Sequence, residues 1–219
     1  MSGNDFKKIQ SRFEKDAKAF DSIYSDGSEF NTWFNRRFRK PIFERFDLVD
    51  QLMGDIKGKN VLDIGCGSGV YIVNFAAKGA AFVLGVDFSQ PMLDIAKRRV
   101  ESQNFSTQCE FRVANFLETD FNQKFDVTIA IGVFDYLANP EPFLKKMKEV
   151  TQGKIIISFP GHSLIRGALR KLRYLFTSKG SVYFYSKKRI EDLVKAVGFS
   201  HYEVIPMKTG SGFVLLAQP

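Results

Sequence analysis

Val61-Leu62-Asp63-Ile64-Gly65-Cys66-Gly67-Ser68-Gly69 is the stretch on which the fold turns. An apolar run carries an acid near its end and then breaks into glycines at alternate positions. A second apolar run, Ala81 to Val86, follows and ends in Asp87. This order predicts a buried parallel strand that brings its C-terminal end to a ligand, where glycines let backbone N–H groups touch it. The second acid then belongs one strand over, where it can accept hydrogen bonds from a ribose diol.

Spacing narrows the ligand. The dinucleotide fingerprint G-x-G-x-x-G needs a third glycine where this chain has Val70, and the phosphate loop G-x-x-x-x-G-K-[ST] needs a lysine that does not follow. Asp63, inside the strand end, would repel a phosphate. A carboxylate there suits a ligand with positive charge, such as the amino group of a methionine moiety. These residues resemble motif I of the class I S-adenosylmethionine-dependent methyltransferases. Val86-Asp87-Phe88-Ser89 with Pro91-Met92-Leu93 is similar to their motif II. The resemblance runs from about Gly58 to the C-terminus.

Around this centre the chain alternates strand and helix. Strands are expected at 60–65, 81–86, 108–113, 125–131 and 154–159. Helices are expected at about 69–78, 90–102 (capped by Ser89, with Pro91 in the first turn), 140–151 and 187–197. Residues 200–205 and 213–217 read as a closing hairpin, which makes the last strand antiparallel. The fold class is thus α/β, a Rossmann-like, mostly parallel sheet with helices on both faces. The resemblance implies seven strands in the order 3-2-1-4-5-7-6. Ahead of strand one, Phe6, Ile9, Phe13 and Ala17 share a helical face, Asp26-Gly27-Ser28 reads as a turn, and Phe43, Phe46, Leu48, Val49 and Leu52 suggest a second helix. The expected division is one methyltransferase domain over 1–219. Within it, 1–56 form a helical lid and 57–219 the cofactor-binding core, with a basic insert at about 160–186.

Composition fits this reading. A chain of 219 residues, 44% hydrophobic and 26% charged, suits one domain, and 23 phenylalanines can fill both core and pocket. No run has the order of a leader peptide or the length of a membrane span, so a cytoplasmic location is expected, with peripheral membrane contact as a variant. Cys66 and Cys109 supply neither a disulfide framework nor a metal pattern, and no metal is expected.

The resemblance assigns roles residue by residue. Gly65, Gly67 and Gly69 admit the methionine part of S-adenosylmethionine (S-adenosylhomocysteine after reaction), and Cys66 fills the loop between them. Asp63 orients the loop and meets the amino group; Asp87 binds the ribose hydroxyls; Phe88 covers an adenine face. Asn115 and Phe116 follow strand three, where the family usually has an acid contacting the adenine amino group, and the Asn115 oxygen can accept that bond instead. Ile131 and Gly132 line the other side of the cofactor.

On the acceptor side lie Asp135 and Tyr136, where quinone-pathway O-methyltransferases often carry a Glu-His pair. Tyr136 removes a histidine base from that place, which leaves Asp135, Tyr136 and His162 as the catalytic candidates. The nucleic-acid amino-methyltransferase motif is replaced by Gly132-Val133-Phe134-Asp135, so nucleic acid is a disfavoured substrate.

Net charge is +8, and the stretch between Val150 and Ile190 holds nine lysines and arginines with no acid. Within it, Ile165, Leu169, Leu172 and Phe176 alternate with Arg166, Arg170, Lys171 and Arg173 as a basic amphipathic helix. It reads as a packed lid, or as a surface for an anionic, partly apolar acceptor or an anionic membrane. A second cluster joins Trp33, Phe34 and Phe38 to Arg36, Arg37, Arg39 and Lys40; one of these arginines or Tyr24 is expected to meet the methionine carboxylate. The function read here is methyl transfer to a small molecule, at oxygen. The alternatives are a non-catalytic S-adenosylmethionine-binding protein, a methyltransferase of lipid-like or nucleic-acid acceptors, and an NAD-linked oxidoreductase.

Overall fold

The structure, a computed structural model, describes residues 32–161 and 182–219, with side chains from Lys40 onward. The helical face at Phe6–Ala17, Tyr24, the turn at Asp26–Ser28, the side chains of Trp33–Arg39, His162 and the basic helix at 164–176 lie outside the described residues.

Twelve regular elements follow one another among the described residues. They are α1 (Thr32–Met53), β1 (Asn60–Ile64), α2 (Val70–Ala77), β2 (Phe82–Asp87), α3 (Gln90–Ser102), β3 (Cys109–Val113), β4 (Phe125–Ala130), α4 (Glu141–Val150), β5 (Thr151–Pro160), α5 (Lys187–Val197), β6 (His201–Pro206) and β7 (Gly212–Gln218). The strands form one sheet in the order β3-β2-β1-β4-β5-β7-β6. Pairing is parallel from β3 through β5, and β7 runs antiparallel to both neighbours. Order and orientation agree with the sequence reading.

The central strands are apolar on both faces because both faces are covered. Val61, Val83, Val127 and Ile129 pack with Val49 and Met53 of α1, Ile72 and Phe75 of α2 and Leu93 of α3. Leu62, Ile64, Leu84 and Val86 pack on the other side with Leu144 and Met147 of α4 and Ile190 and Val194 of α5. Alternate residues of one strand thus enter opposite layers, as a two-residue repeat requires. Removing a fully buried ring such as Phe75 would cost about 3–5 kcal/mol.

Three features depart from the expectation. First, α1 is continuous through Pro41, whose missing N–H removes one bond from its ladder. Its C-terminal half packs into the core, with Val49 and Met53 fully buried. Lys154 Nζ donates to the carbonyls of Leu52 (3.3 Å) and Met53 (3.0 Å), satisfying helix-end acceptors for which α1 has no basic residue of its own. Asp50 pairs with Lys78 and accepts from Asn74 Nδ2 at 2.6 Å. Glu44 accepts from the Thr209 N–H at 3.0 Å, so α1 is tied to β5, α2 and the β6–β7 turn.

Second, β5 begins at Thr151, directly after α4, with no loop between them. A register irregularity between Phe125 and Val127 admits the extra residues, and Gly153 sits where a Cβ would lie 2.3 Å from the Asp126 carbonyl oxygen. Third, Ser89 holds the N-cap position of α3, but its buried hydroxyl makes no hydrogen bond among the described residues. The backbone N–H of Ser89 is drawn instead to Asp87 Oδ1 at 2.9 Å.

Candidate functional site

The carboxyl ends of β1, β2 and β4 meet where strand order reverses, the place at which open α/β sheets bind ligands. From β1 the chain leaves through Gly65, Gly67 and Gly69, with φ of 68°, 53° and 75°. All three lie in the left-handed region that side chains disfavour. Contact demands glycine as well: a Cβ on Gly65 would lie 2.5 Å from Val133 Cγ2, and one on Gly69 would lie 2.8 Å from Ala96 Cβ of α3. Gly69 then stands directly before α2, whose N-terminus faces the same edge.

Asp87 holds this loop in shape. Its Oδ2 accepts from the Gly67 N–H and its Oδ1 from the Ser89 N–H, each at 2.9 Å. One carboxylate therefore joins the glycine loop to the start of α3. Arg99 does the same from further along α3, donating from Nη1 to the Ser68 carbonyl (3.0 Å) and hydroxyl (3.1 Å).

Asp63 is buried to 1% exposure, and its Oδ2 makes no hydrogen bond among the described residues. Burial, and secondarily the charge of Asp87, push its carboxyl up to about 8. Burial also raises Asp87, opposed by the N–H groups of Ser89, Gly67 and Phe88. The Cys66 thiol is pushed upward by burial and then by both acids, so it is a neutral packing group between the glycines.

Across the crevice, Gly132 (φ 80°) follows β4, and its N–H donates to Ser158 Oγ at 2.8 Å. A Cβ on Gly132 would lie 3.9 Å from Arg45 Nη1, so the Arg45 guanidinium of α1 stands beside this turn. Ile131 is half-buried against the α1–α3 layer. Phe88 is half-buried at the end of β2.

Asp63, Gly65, Cys66, Gly67, Gly69, Asp87, Phe88, Ile131 and Gly132 thus converge on one sheet edge. Asn115 and Phe116 lie at the end of β3 and are occupied differently. Asn115 caps a short 3-10 turn (Phe116–Glu118), accepting from the Leu117 N–H at 3.2 Å and donating to Glu118 Oε1 at 2.7 Å. The Phe116 ring is buried, 4.7 Å from the Phe143 ring and 5.8 Å from that of Phe121. Its side chain is part of the core, and only its backbone remains for a ligand.

A second 3-10 turn, Phe134–Tyr136, carries Asp135 and Tyr136. Asp135 is buried, and its carbonyl accepts from the Tyr183 N–H at 2.9 Å. Tyr185 packs on Phe159 with ring centroids 5.0 Å apart and donates its hydroxyl to the Leu137 carbonyl at 3.2 Å. Burial, reinforced by Asp135, pushes that phenol up to about 12, so it stays protonated.

Arg45, Arg99 and Ser158 escaped the sequence reading. Each lies far in sequence from its partner, and only folding brings Arg99 to the glycine loop and Arg45 and Ser158 to the Gly132 turn. For Ser158 a faint signal existed, since a hydroxyl interrupts the apolar run Ile155-Ile156-Ile157 before Phe159.

A family described as methyltransferase domain matches residues 55–187, and the chain belongs to that family. Among curated proteins it is similar to ubiquinone biosynthesis O-methyltransferases. That of Coxiella burnetii is 29% identical over 133 residues, covering 60% of this chain and 53% of that protein. That of Neisseria meningitidis serogroup C is 27% identical over 148 residues, covering 66% and 59%. The chain spans about half the length of these curated relatives. In fold it resembles magnesium protoporphyrin IX methyltransferase from Synechocystis PCC 6803, solved with bound SAH, with a TM-score of 0.78 and 23% identity over 97% of this chain and 98% of that one.

Proposed function

We propose that this methyltransferase domain binds S-adenosylmethionine in the glycine crevice and passes its methyl group to a small-molecule acceptor, at oxygen. The observation that carries the reading is the pair of buried acids facing a side-chain-free loop. Asp63, buried with an orphaned oxygen and holding its proton until a nearby cation favours the ionised form, lies beside the Asp87 carboxylate, and the pair suits a cationic adenosyl ligand better than a pyrophosphate. Family membership and the quinone-pathway relatives support methyl transfer and an oxygen acceptor respectively.

When bound, the cofactor supplies a methyl carbon on a sulfonium whose leaving group is a neutral thioether. The chain's task is alignment and exclusion of water. Backbone at Gly65, Gly67 and Gly69 lies against the ligand's amino-acid and sugar parts. Asp87 accepts from the ribose hydroxyls on lone pairs not used by Gly67 and Ser89, and Phe88 covers the base. The amino-acid end is a zwitterion, and two groups beside Gly132 match it. The Ile131 carbonyl accepts from the ammonium, whose charge favours ionisation of the buried Asp63 carboxyl, and Arg45 faces the carboxylate. Asp135 and Tyr136 are our candidates for taking the acceptor proton as the new O–C bond forms.

The test is transfer of labelled methyl from S-adenosylmethionine to components of metabolite and lipid extracts. A labelled product carrying an O-methyl group is expected. Tight cofactor binding with no labelled product would favour a non-catalytic binding protein, consistent with Tyr136 standing where relatives of this type often carry histidine.

A further inference from the structure

Ser158 is 3% exposed, with apolar Ile156 and Val214 beside it. Most buried hydroxyls are hydrogen-bonded, and this one accepts the Gly132 N–H at 2.8 Å. That bond is the handle on the whole turn after β4. The described chain has no cis peptide bonds, so in the Ile131–Gly132 unit N–H and C=O point in opposite directions. With the N–H directed to β5, the Ile131 carbonyl is directed to the β1 side of β4. On that side the ladder has ended at the pair Ile64↔Ala130, and β1 has opened into the glycine loop. Gly132 itself has φ of 80°, in the left-handed region that glycine enters without side-chain strain.

We infer that Ser158 is a positioning residue: by holding the Gly132 N–H it aims the Ile131 carbonyl into the crevice as the acceptor for the ammonium of an α-amino-acid ligand end. The inference rests on the S-adenosylmethionine reading and adds a residue that never touches the ligand.

The experiment compares two ligands by calorimetry. S-adenosylmethionine carries the amino-acid end, and 5′-methylthioadenosine lacks it while keeping base and sugar. Ser158→Ala should weaken S-adenosylmethionine about tenfold, the loss of one orienting hydrogen bond, and leave 5′-methylthioadenosine unchanged. Ser158→Thr, which keeps the hydroxyl, should recover most of the loss. Equal weakening of both ligands would reduce Ser158 to packing, and no weakening of either would overturn the assignment outright. Failure of the unaltered chain to bind S-adenosylmethionine would overturn the parent reading, and this one with it. Normal binding that ignores Ser158→Ala would overturn this one alone.

Discussion

At the scale of single residues, the two crevice acids divide their work by environment. Asp87 is buried but satisfied by two N–H donors, whereas Asp63 is buried with an orphaned oxygen. Asp87→Ala should weaken S-adenosylmethionine by about 10- to 100-fold, since it removes a charged acceptor and unties Gly67 from Ser89; unchanged affinity in calorimetry would remove the ribose assignment. Asp63 makes a prediction about pH. Its folded-state value, near 8, lies above the roughly 3.9 of an unfolded aspartate, so between those values the folded chain keeps a proton that the unfolded chain has lost. Its contribution to stability therefore declines as pH rises through that window, by about 1.4 kcal/mol per unit, and levels off above 8. Asp63→Asn should flatten this slope in urea denaturation run at pH 6, 7 and 8, and a slope identical to that of the unaltered chain would reject the protonated acid. Because an ammonium favours the ionised form, cofactor affinity should strengthen with pH over the same range.

At the scale of elements, the glycine loop combines backbone strain with close contact, and two substitutions separate them. Gly58 has φ of 72° and no atom within 4 Å of the place a Cβ would take, so Gly58→Ala should cost only the left-handed penalty, about 1–2 kcal/mol. Gly69, at 75°, adds a contact of 2.8 Å with Ala96, and Gly69→Ala should cost about 1–3 kcal/mol more by chemical denaturation. Equal losses would mean that α3 can retreat. The strands and helices themselves were legible because apolar runs alternated with helical periodicity and were punctuated by Gly79 and Gly198. What escaped was tertiary in origin. The docking of α1 depends on Lys154, Thr209 and Lys78, remote in sequence, and its path through Pro41 contradicts local propensity. The early start of β5 follows from a register shift that no single strand reveals. The 3-10 turns at Phe116 and Phe134 are too short to leave a periodicity.

At the scale of the molecule, a sheet whose order reverses between β1 and β4 supplies the crevice, and helices on both faces supply its rigidity. The glycine spacing and the two acids were readable because a ligand that touches backbone imposes residue types at fixed intervals. Arg45, Arg99 and Ser158 were unreadable because Arg99 meets the glycine loop, and Arg45 and Ser158 the Gly132 turn, only through folding. The account's central claim is that this crevice recognises an adenosyl sulfonium rather than a pyrophosphate. Its most direct test is calorimetric titration of the full chain with S-adenosylmethionine and, separately, with NAD. One site of micromolar affinity for the first and no saturable heat for the second is the predicted result; silence with S-adenosylmethionine, or a saturable site for NAD, would contradict it.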